Sequence, residues 1–574
     1  MVFVAKMLCI IVVFIFKLNV TLAGILKNNG NTPHDEEPFP VSIIHINDVH
    51  ARFDETNEHS AECKDGEKCI GGYARAVTII KELIATHQHQ HTNPIYLNAG
   101  DSFQGSPWYT FGRWNVTSEL FNLLNADAIT LGNHDFYDGI PGLIPFLETL
   151  QSNVVVANID DSNEPEFQNK YNKSIVIDRF ERKIGIIGIL LRHVDKIANT
   201  GKLNFIDESI AIQNEAIKLK RQGVDIIIVL SHCGLTADYE IAKKVGAYVD
   251  VIVGGHSHTF MFTETEATNA TGPDKIADNY PAVVEFPDNG HRVLIVQASA
   301  FMKYVGDLTV FFDKTGEIIR WTGAPIFLEN NIVPDADVLK VMKPWKKMIN
   351  ENVQKPLAKT EIPLLKVTCH SSECHLGNLL ADAFVDHYLS DMNTNANYNK
   401  TTLIGMISSA IIHSSRNAGD TITLSDLLMI LPFENSLDLF ELRGDHLKEL
   451  FEHSVSESWN SNTFVGKWLM QISGARVTYN MSNPVNDRVI TIDVLNHKTS
   501  AYWPINTNQY YLCAAQKFLA NGGDGYDMIN KYKQNQHNGP NDVDVVSNYL
   551  LNLKVIRERK PEHRITFLDV ENNY

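Results

Sequence analysis

The chain has 574 residues, of which 44% are hydrophobic and 21% charged. That usage excludes a collagen, a coiled coil or a wholly disordered chain, and the length allows two to four domains. Lys and Arg number 50 against 68 Asp and Glu, a formal net charge of −18; this disfavours a general nucleic-acid binder but not a small anion held by metal ions.

Residues 1–24 place Lys6 ahead of the apolar run MLCIIVVFIF, which Lys17 ends, with Ala23 and Gly24 following. The pattern resembles a secretory signal peptide, and an apolar core of about ten residues is too short for a stable span. No second span and no apolar C-terminal tail follow, so a secreted protein without a membrane anchor is expected. Removal of the leader takes Cys9 with it. Cys63 with Cys69, and Cys369 with Cys374, could each close a small surface loop in an oxidising compartment. Cys233 and Cys513 are either buried thiols or a long-range pair. Sequons at Asn115, Asn172, Asn269, Asn399 and Asn480 agree with export.

Short apolar strands are expected at 41–46, 94–99, 154–158, 183–190, 224–232 and within 249–258, with another in AITLGNHD that breaks at Gly132. Helices are expected at 73–86, 118–125, 210–222 and 236–246. Wholly apolar strands alternating with helices indicate buried sheets covered by helices. A helical connector interrupted near Pro344 is expected over 335–355. A second α/β domain follows, with helices at 376–389, 423–433 and 446–459 and strands at 437–442, 488–495 and 509–513. The expected division is a leader at 1–24, a first domain at 25–331, a hinge at 332–352 and a second domain at 353–574.

The chemistry lies just beyond the strand ends of the first domain, where α/β folds place it. Five motifs stand there: NDVH (47–50), GDSFQG (100–105), GNHD (132–135), LSHCG (230–234) and GGHSH (254–258). They offer Asp48, His50, Asp101, Asn133, His232 and His256, with His258 nearby. Oxygen and imidazole donors without thiolate suit two Zn-, Mn- or Fe-like ions. Asp101 can present one oxygen to each ion. Two such ions polarise a phosphate and acidify water. Each motif alone is weak; their succession after apolar strands is specific.

These motifs resemble those of the calcineurin-like metallophosphoesterases, and more closely the secreted 5'-nucleotidase family, which includes the salivary apyrases of blood-feeding arthropods. The resemblance runs from about 41 to 570 and includes LGNLLADAF, TITLSDLLMILPF and FLANGGDGYDMI. It implies a four-layer metallophosphoesterase domain joined by a helical linker to an α/β nucleotide-binding domain. It implies two divalent ions, zinc by expectation, with Mn, Mg or Ca able to support activity. His134 would stabilise the transition state or donate a proton, and Arg52 would lie near the phosphate. Phe433 and Phe518 would sandwich a purine base, with Asp524 as a ribose or pocket contact. The implied activity is hydrolysis of extracellular ATP and ADP, extending to AMP, which opposes platelet aggregation.

The chain departs from the family pattern at four places. The acid expected three residues after His134 is Tyr137, with Asp138 one residue further as a substitute. The segment resembling NGGGIR is Ser408 to His413, so a phosphate-clamping arginine is replaced by His413. A second expected arginine is His370. His258 stands where an asparagine is usual. Histidine at a clamp position loses both permanent charge and the bidentate fork.

Arg443, Gly444 and Asp445 form an RGD tripeptide. On an exposed turn it would bind a platelet integrin; between a strand and a helix, Asp445 would instead cap the helix. The tract HQHQH (87–91) reads as a solvated helix end. No sequence patch specifies an oligomer.

Overall fold

The computed structural model describes residues 37–568 apart from 64–65, 180–181, 265–269, 289, 395–401, 434, 457–458, 461–462, 465–467 and 559–561. The leader, Asn269 and Asn399 lie outside the described residues.

The strand Phe39–Ile46 shows how the first domain is built. Its residues 41–46 are all buried, so both faces must be covered. Val41 and Ile43 pack into an apolar layer with Leu97, Ile187, Ile228 and Val253, whereas Ile44 and Ile46 face Tyr73, Val77 and Leu120 on helices. Period-two alternation thus divides one strand between two cores. The sheet runs Ile318–Gly323, Tyr304–Phe312, Phe39–Ile46, Pro94–Asn98, Ala128–Ile129, the last three strands parallel. A second sheet, Ala282–Glu285, Arg292–Val296, Val251–Gly254, Ile226–His232, Arg182–Leu190, Ser174–Arg179, lies across the shared core. Helices Glu208–Arg221 and Leu235–Val245 pack on its far side through Ala216, Leu219 and Ile241. The result is the four-layer arrangement expected, with the C-terminal ends of the parallel strands at one edge.

Three expectations are corrected. Residues 154–158 form only isolated bridges, Val154 to Ile129 and Val155 to Asn172, rather than a strand. The helix expected at 118–125 spans Pro107–Phe121. Ser106 caps it through its side chain and Pro107 occupies its first position, a start signal that apolar spacing alone does not reveal. The connector Ala336–Val353 is one helix with Pro344 inside it. Val338, Met342, Ile349 and Val353 are buried on both sides of the proline, and Trp345 Nε1 donates to Glu119 at 2.8 Å. Packing of that stripe outweighs the one backbone bond proline removes.

The second domain is centred on a sheet in the order Met470–Ser473, Leu403–Ser408, Tyr510–Gln516, Leu437–Arg443, Gln534–His537. Helix His375–Thr394 packs on it, and a four-stranded sheet ends in Ile565–Leu568. The expected helix 423–433 is Leu424–Ile430, capped by Thr423, and the one expected at 446–459 is Gly444–Ser454. Cys63–Cys69 and Cys369–Cys374 are disulfides; Cys233 and Cys513 are buried free thiols. No helix among the described residues is long and apolar enough to cross a membrane.

Candidate metal centre and nucleotide pocket

Each motif delivers its side chains by leaving a buried strand abruptly. Asp48, His50, Asp101, His256 and His258 all have positive φ, between 51° and 73°. Left-handed backbone costs a non-glycine residue on the order of 1 kcal/mol, so five such residues in one cluster mark strain held by the surrounding fold. Gly132 is required for a different reason. A Cβ there would lie 2.0 Å from Asp101 Oδ1, so only glycine lets that carboxylate settle against the turn.

The six expected donors converge. Asp48, His50 and His258 bring one donor atom each within 4.8 Å of one another, and so do Asp101, His232 and His256. His232 Nε2 lies 3.0 Å from Asp101 Oδ2, and His50 Nε2 lies 3.6 Å from the same oxygen. Asp101 therefore stands between the two groups. Asn133 Oδ1 meets His256 Nδ1 at 2.9 Å. His258 joins the first group, its Nε2 at 3.0 Å from His50 Nε2 and 3.3 Å from Asp48 Oδ1.

Outer contacts orient these rings, as metal sites require. His232 Nδ1 donates to the Ala99 carbonyl at 2.7 Å and His50 Nδ1 to the Gln104 carbonyl at 2.8 Å. Both Nε2 atoms then face inward toward the carboxylates of the cluster. His232 Nε2 is buried and faces Asp101 Oδ2 at 3.0 Å without hydrogen-bond alignment, a gap that a cation shared by the two atoms would fill. Burial opposes charge on His232, but Asp101 and Asp48 outweigh it and hold the imidazole up at about 10. The cluster thus attracts positive charge even as bare protein, and its donors fit two divalent ions.

His134 lies at the rim. Its backbone N–H donates to Asp101 Oδ1 at 2.8 Å, and its Nδ1 pairs with Gln104 Oε1 at 2.8 Å. Gln104, not Asp138, is therefore the partner of this imidazole. Asp138 instead accepts from Tyr109 at 2.9 Å and Arg113 at 3.4 Å, because it begins the helix Gly139–Thr149 and is directed away by that turn. Gln104 stands inside a recognised motif, but its meeting with His134 is a tertiary event that spacing does not reveal.

The second domain reaches this rim. The Phe433 ring stacks on His134 at 4.9 Å and 14°, and His413 meets Phe433 edge-on at 4.6 Å. His413 is held well below the usual imidazole range by burial and then by Lys366, so it is neutral at pH 7. His370 Nδ1 pairs with Ser409 Oγ at 3.1 Å. Ser408 Oγ donates to Asp524 Oδ2 at 2.7 Å, and burial pushes the Asp524 carboxyl up to about 6. Phe518 packs over Gly523, where a Cβ would lie 2.4 Å from its ring. Arg52 is only 1% exposed, with its guanidinium carbon 4.2 Å from the Phe301 ring centre.

The RGD tripeptide is not an exposed turn. Arg443 ends a strand and caps the helix that Gly444 and Asp445 begin. Arg443 Nε donates to Asp445 Oδ1 at 2.8 Å, and a Cβ on the buried Gly444 would meet the Asn506 carbonyl oxygen at 2.3 Å. Arg443, not Asp445, is the cap; Asp445 sits in the first turn.

A calcineurin-like phosphoesterase domain matches residues 41–260, and a 5'-nucleotidase C-terminal domain matches 356–531. An apyrase of Tabanus yao is 41% identical over 94% of this chain and 96% of its own. A 5'-nucleotidase-related protein of Glossina morsitans morsitans is 41% identical over 95% and 97%. The crystal structure of a 5'-nucleotidase precursor from Thermus thermophilus, 30% identical, superposes with a TM-score of 0.79 over 93% of this chain and 100% of that one. The chain belongs to the apyrase and 5'-nucleotidase family of metal-dependent phosphoester hydrolases.

Proposed function

We propose that the protein is a secreted two-metal phosphohydrolase that releases phosphate from extracellular ATP and ADP, with AMP as a further substrate, and so opposes platelet aggregation at a blood-feeding site. The observation that carries this reading is the junction at His134. One face of the donor cluster and an aromatic ring of the second domain meet on the same imidazole. A nucleotide joins a flat base to a charged phosphate chain, and that junction offers aromatic stacking beside cation-binding donors. The Tabanus yao relative is named an apyrase.

In this reading Asp48, His50, Asp101 and His258 hold one ion, and Asp101, Asn133, His232 and His256 the other. When bound, the ions supply Lewis-acid charge and acidify water, with zinc as the expected metal and Mn, Mg or Ca as alternatives. The chain's own residues do the rest. Asp101 fixes the His134 backbone, and Gln104 holds the imidazole so that Nε2 is the ring atom offered to a substrate oxygen. In the imidazolium form that nitrogen carries an N–H, which stabilises the phosphoryl group or passes its proton to the leaving oxygen. Phe433 and Phe518 grip the base, and Asp524 accepts from the ribose hydroxyls. The closed Arg443–Asp445 pair favours a structural role for the tripeptide over integrin binding.

Phosphate release from ATP, ADP and AMP, with Zn, Mn, Mg or Ca supplied in turn, tests the reading. Release from ATP and ADP that a chelator abolishes is expected. Release from AMP alone would replace it with a 5'-nucleotidase, and release from none would overturn it.

A further inference from the structure

Both clamp positions of the second domain hold histidines, and the one nearer the cluster, His413, is neutral. The phosphate chain nevertheless needs cations, and the structure brings one from an unexpected place. Lys366 Nζ donates to the His413 carbonyl at 3.2 Å, and the Lys366 backbone N–H is fixed by Ser415 Oγ at 3.0 Å. The His413 ring lies 6.5 Å from Phe301. Phe301 in turn lies under Arg52 and beside His50 and His258, at 5.6 and 5.1 Å. Lys366 of the second domain and Arg52 of the first therefore stand on either side of the His413–Phe301 contact, next to the donor cluster.

Among the described residues neither cation forms an ion pair, whereas their neighbour Lys303 is paired with Asp274 and Arg416 is paired with Asp426 at 2.7 Å. Arg52 gives one guanidinium N–H to the Ser60 carbonyl, but its Nε and Nη2 are buried without a partner. Lys366 has three N–H donors and one assigned acceptor. Burial, reinforced by Lys303 and Arg52, holds the Lys366 ammonium down at about 8. A buried guanidinium and a half-buried ammonium without a paired acid are costly, and a bound polyanion removes that cost.

We propose that Lys366, together with Arg52, binds the phosphate next to the one seated at the donor cluster, making Lys366 a specificity-determining residue for nucleoside di- and triphosphates over monophosphates. This rests on the hydrolase reading above and adds to it the residue that replaces the missing clamp. A monophosphate presents its charge to the donor cluster alone. A diphosphate carries a second charged group, which needs its own cations.

The test is a binding titration of the full-length, zinc-loaded protein with methylenediphosphonate, whose P–C–P bridge resists hydrolysis, and with methylphosphonate, which has one phosphoryl group. Lys366→Met should weaken methylenediphosphonate about ten-fold more than methylphosphonate, the scale of one charge-assisted contact. Lys366→Arg should restore the difference. Lys366→Gln keeps a donor for the His413 carbonyl without the charge and should behave as Lys366→Met, so a folding defect in one variant is separable from loss of charge. Equal weakening of both ligands, or of neither, overturns the proposal. Because the titration needs no turnover, a wild-type protein that released no phosphate would sink the hydrolase reading while leaving this preference measurable.

Discussion

The two halves of this molecule hold their functional residues in opposite ways. In the first domain the candidate donors stand at, or within four residues of, the ends of parallel strands, five of them on positive-φ backbone, and Asp48, His50, Asp101, Asn133 and His232 are buried while His256 and His258 are partly exposed. In the second, Phe433 and Phe518 are only partly buried, and His370 and His413 stand where the family resemblance leads one to expect arginines. Metal chemistry needs atoms fixed to a fraction of an ångström, and strain held by a four-layer core supplies that precision. Base stacking tolerates looser geometry because every base has an apolar face. The first domain is thus the rigid half and the second the adaptable one.

Breaking the rigid half should cost most. Asp101→Asn removes the oxygen charge standing between both donor groups and should lower kcat for ADP by roughly 10³-fold or more; a fall below ten-fold would mean that the two groups do not act as one site. His134→Ala should lower kcat by about 10²–10³-fold. Gln104→Ala should lower it by about ten-fold, the scale of an orienting contact, while Asp138→Asn should leave it within about two-fold because it touches Tyr109 rather than His134. A larger loss in the Asp138 variant than in the Gln104 variant would reverse that assignment.

Changes in the adaptable half should appear first in KM. Phe518→Ala should raise KM for ADP about ten-fold, the worth of one stacked ring, with kcat little altered. Phe433→Ala should raise KM similarly and also lower kcat, since that ring packs on His134. Identical kcat for the two variants would show that the His134 contact is incidental.

The smallest effect should be in pH. The Asp524 carboxyl is raised by burial to about 6, so it is protonated below that pH and becomes a pure acceptor above it. Nucleotide affinity should therefore rise by a few-fold as pH increases from 5 to 7, and Asp524→Asn should flatten that rise. Binding of methylphosphonate, which has no ribose, should show none of this difference.

How far the sequence alone carries differs between the halves for the same physical reason. Asp48, Asp101 and His232 are legible because each follows an apolar strand and the strand end fixes where the side chain goes. His258 is visible as a departure, but its place in the first donor group depends on the left-handed turn after Gly255, which spacing cannot express. Gln104 is hidden because its partner, His134, lies thirty residues on. The helix at 107–121 begins in PWYTFGR, whose last residue, Arg113, departs from helical φ/ψ and blurs the apolar period. Pro344 reads as a break until the buried stripe on either side is seen. In the second domain Phe433 and Phe518 are legible only through family resemblance. Lys366 is silent in sequence, because its role depends on two domains meeting around His413.

The central claim is that two ions gripped by strand-end donors perform the hydrolysis. Metal-depleted protein titrated stepwise with zinc, with bound metal counted and phosphate release from ADP followed together, tests it most directly. The account predicts no release from metal-free protein and a rise that saturates at two ions per chain. Full release from the metal-free protein, or full release at one ion per chain, would contradict it.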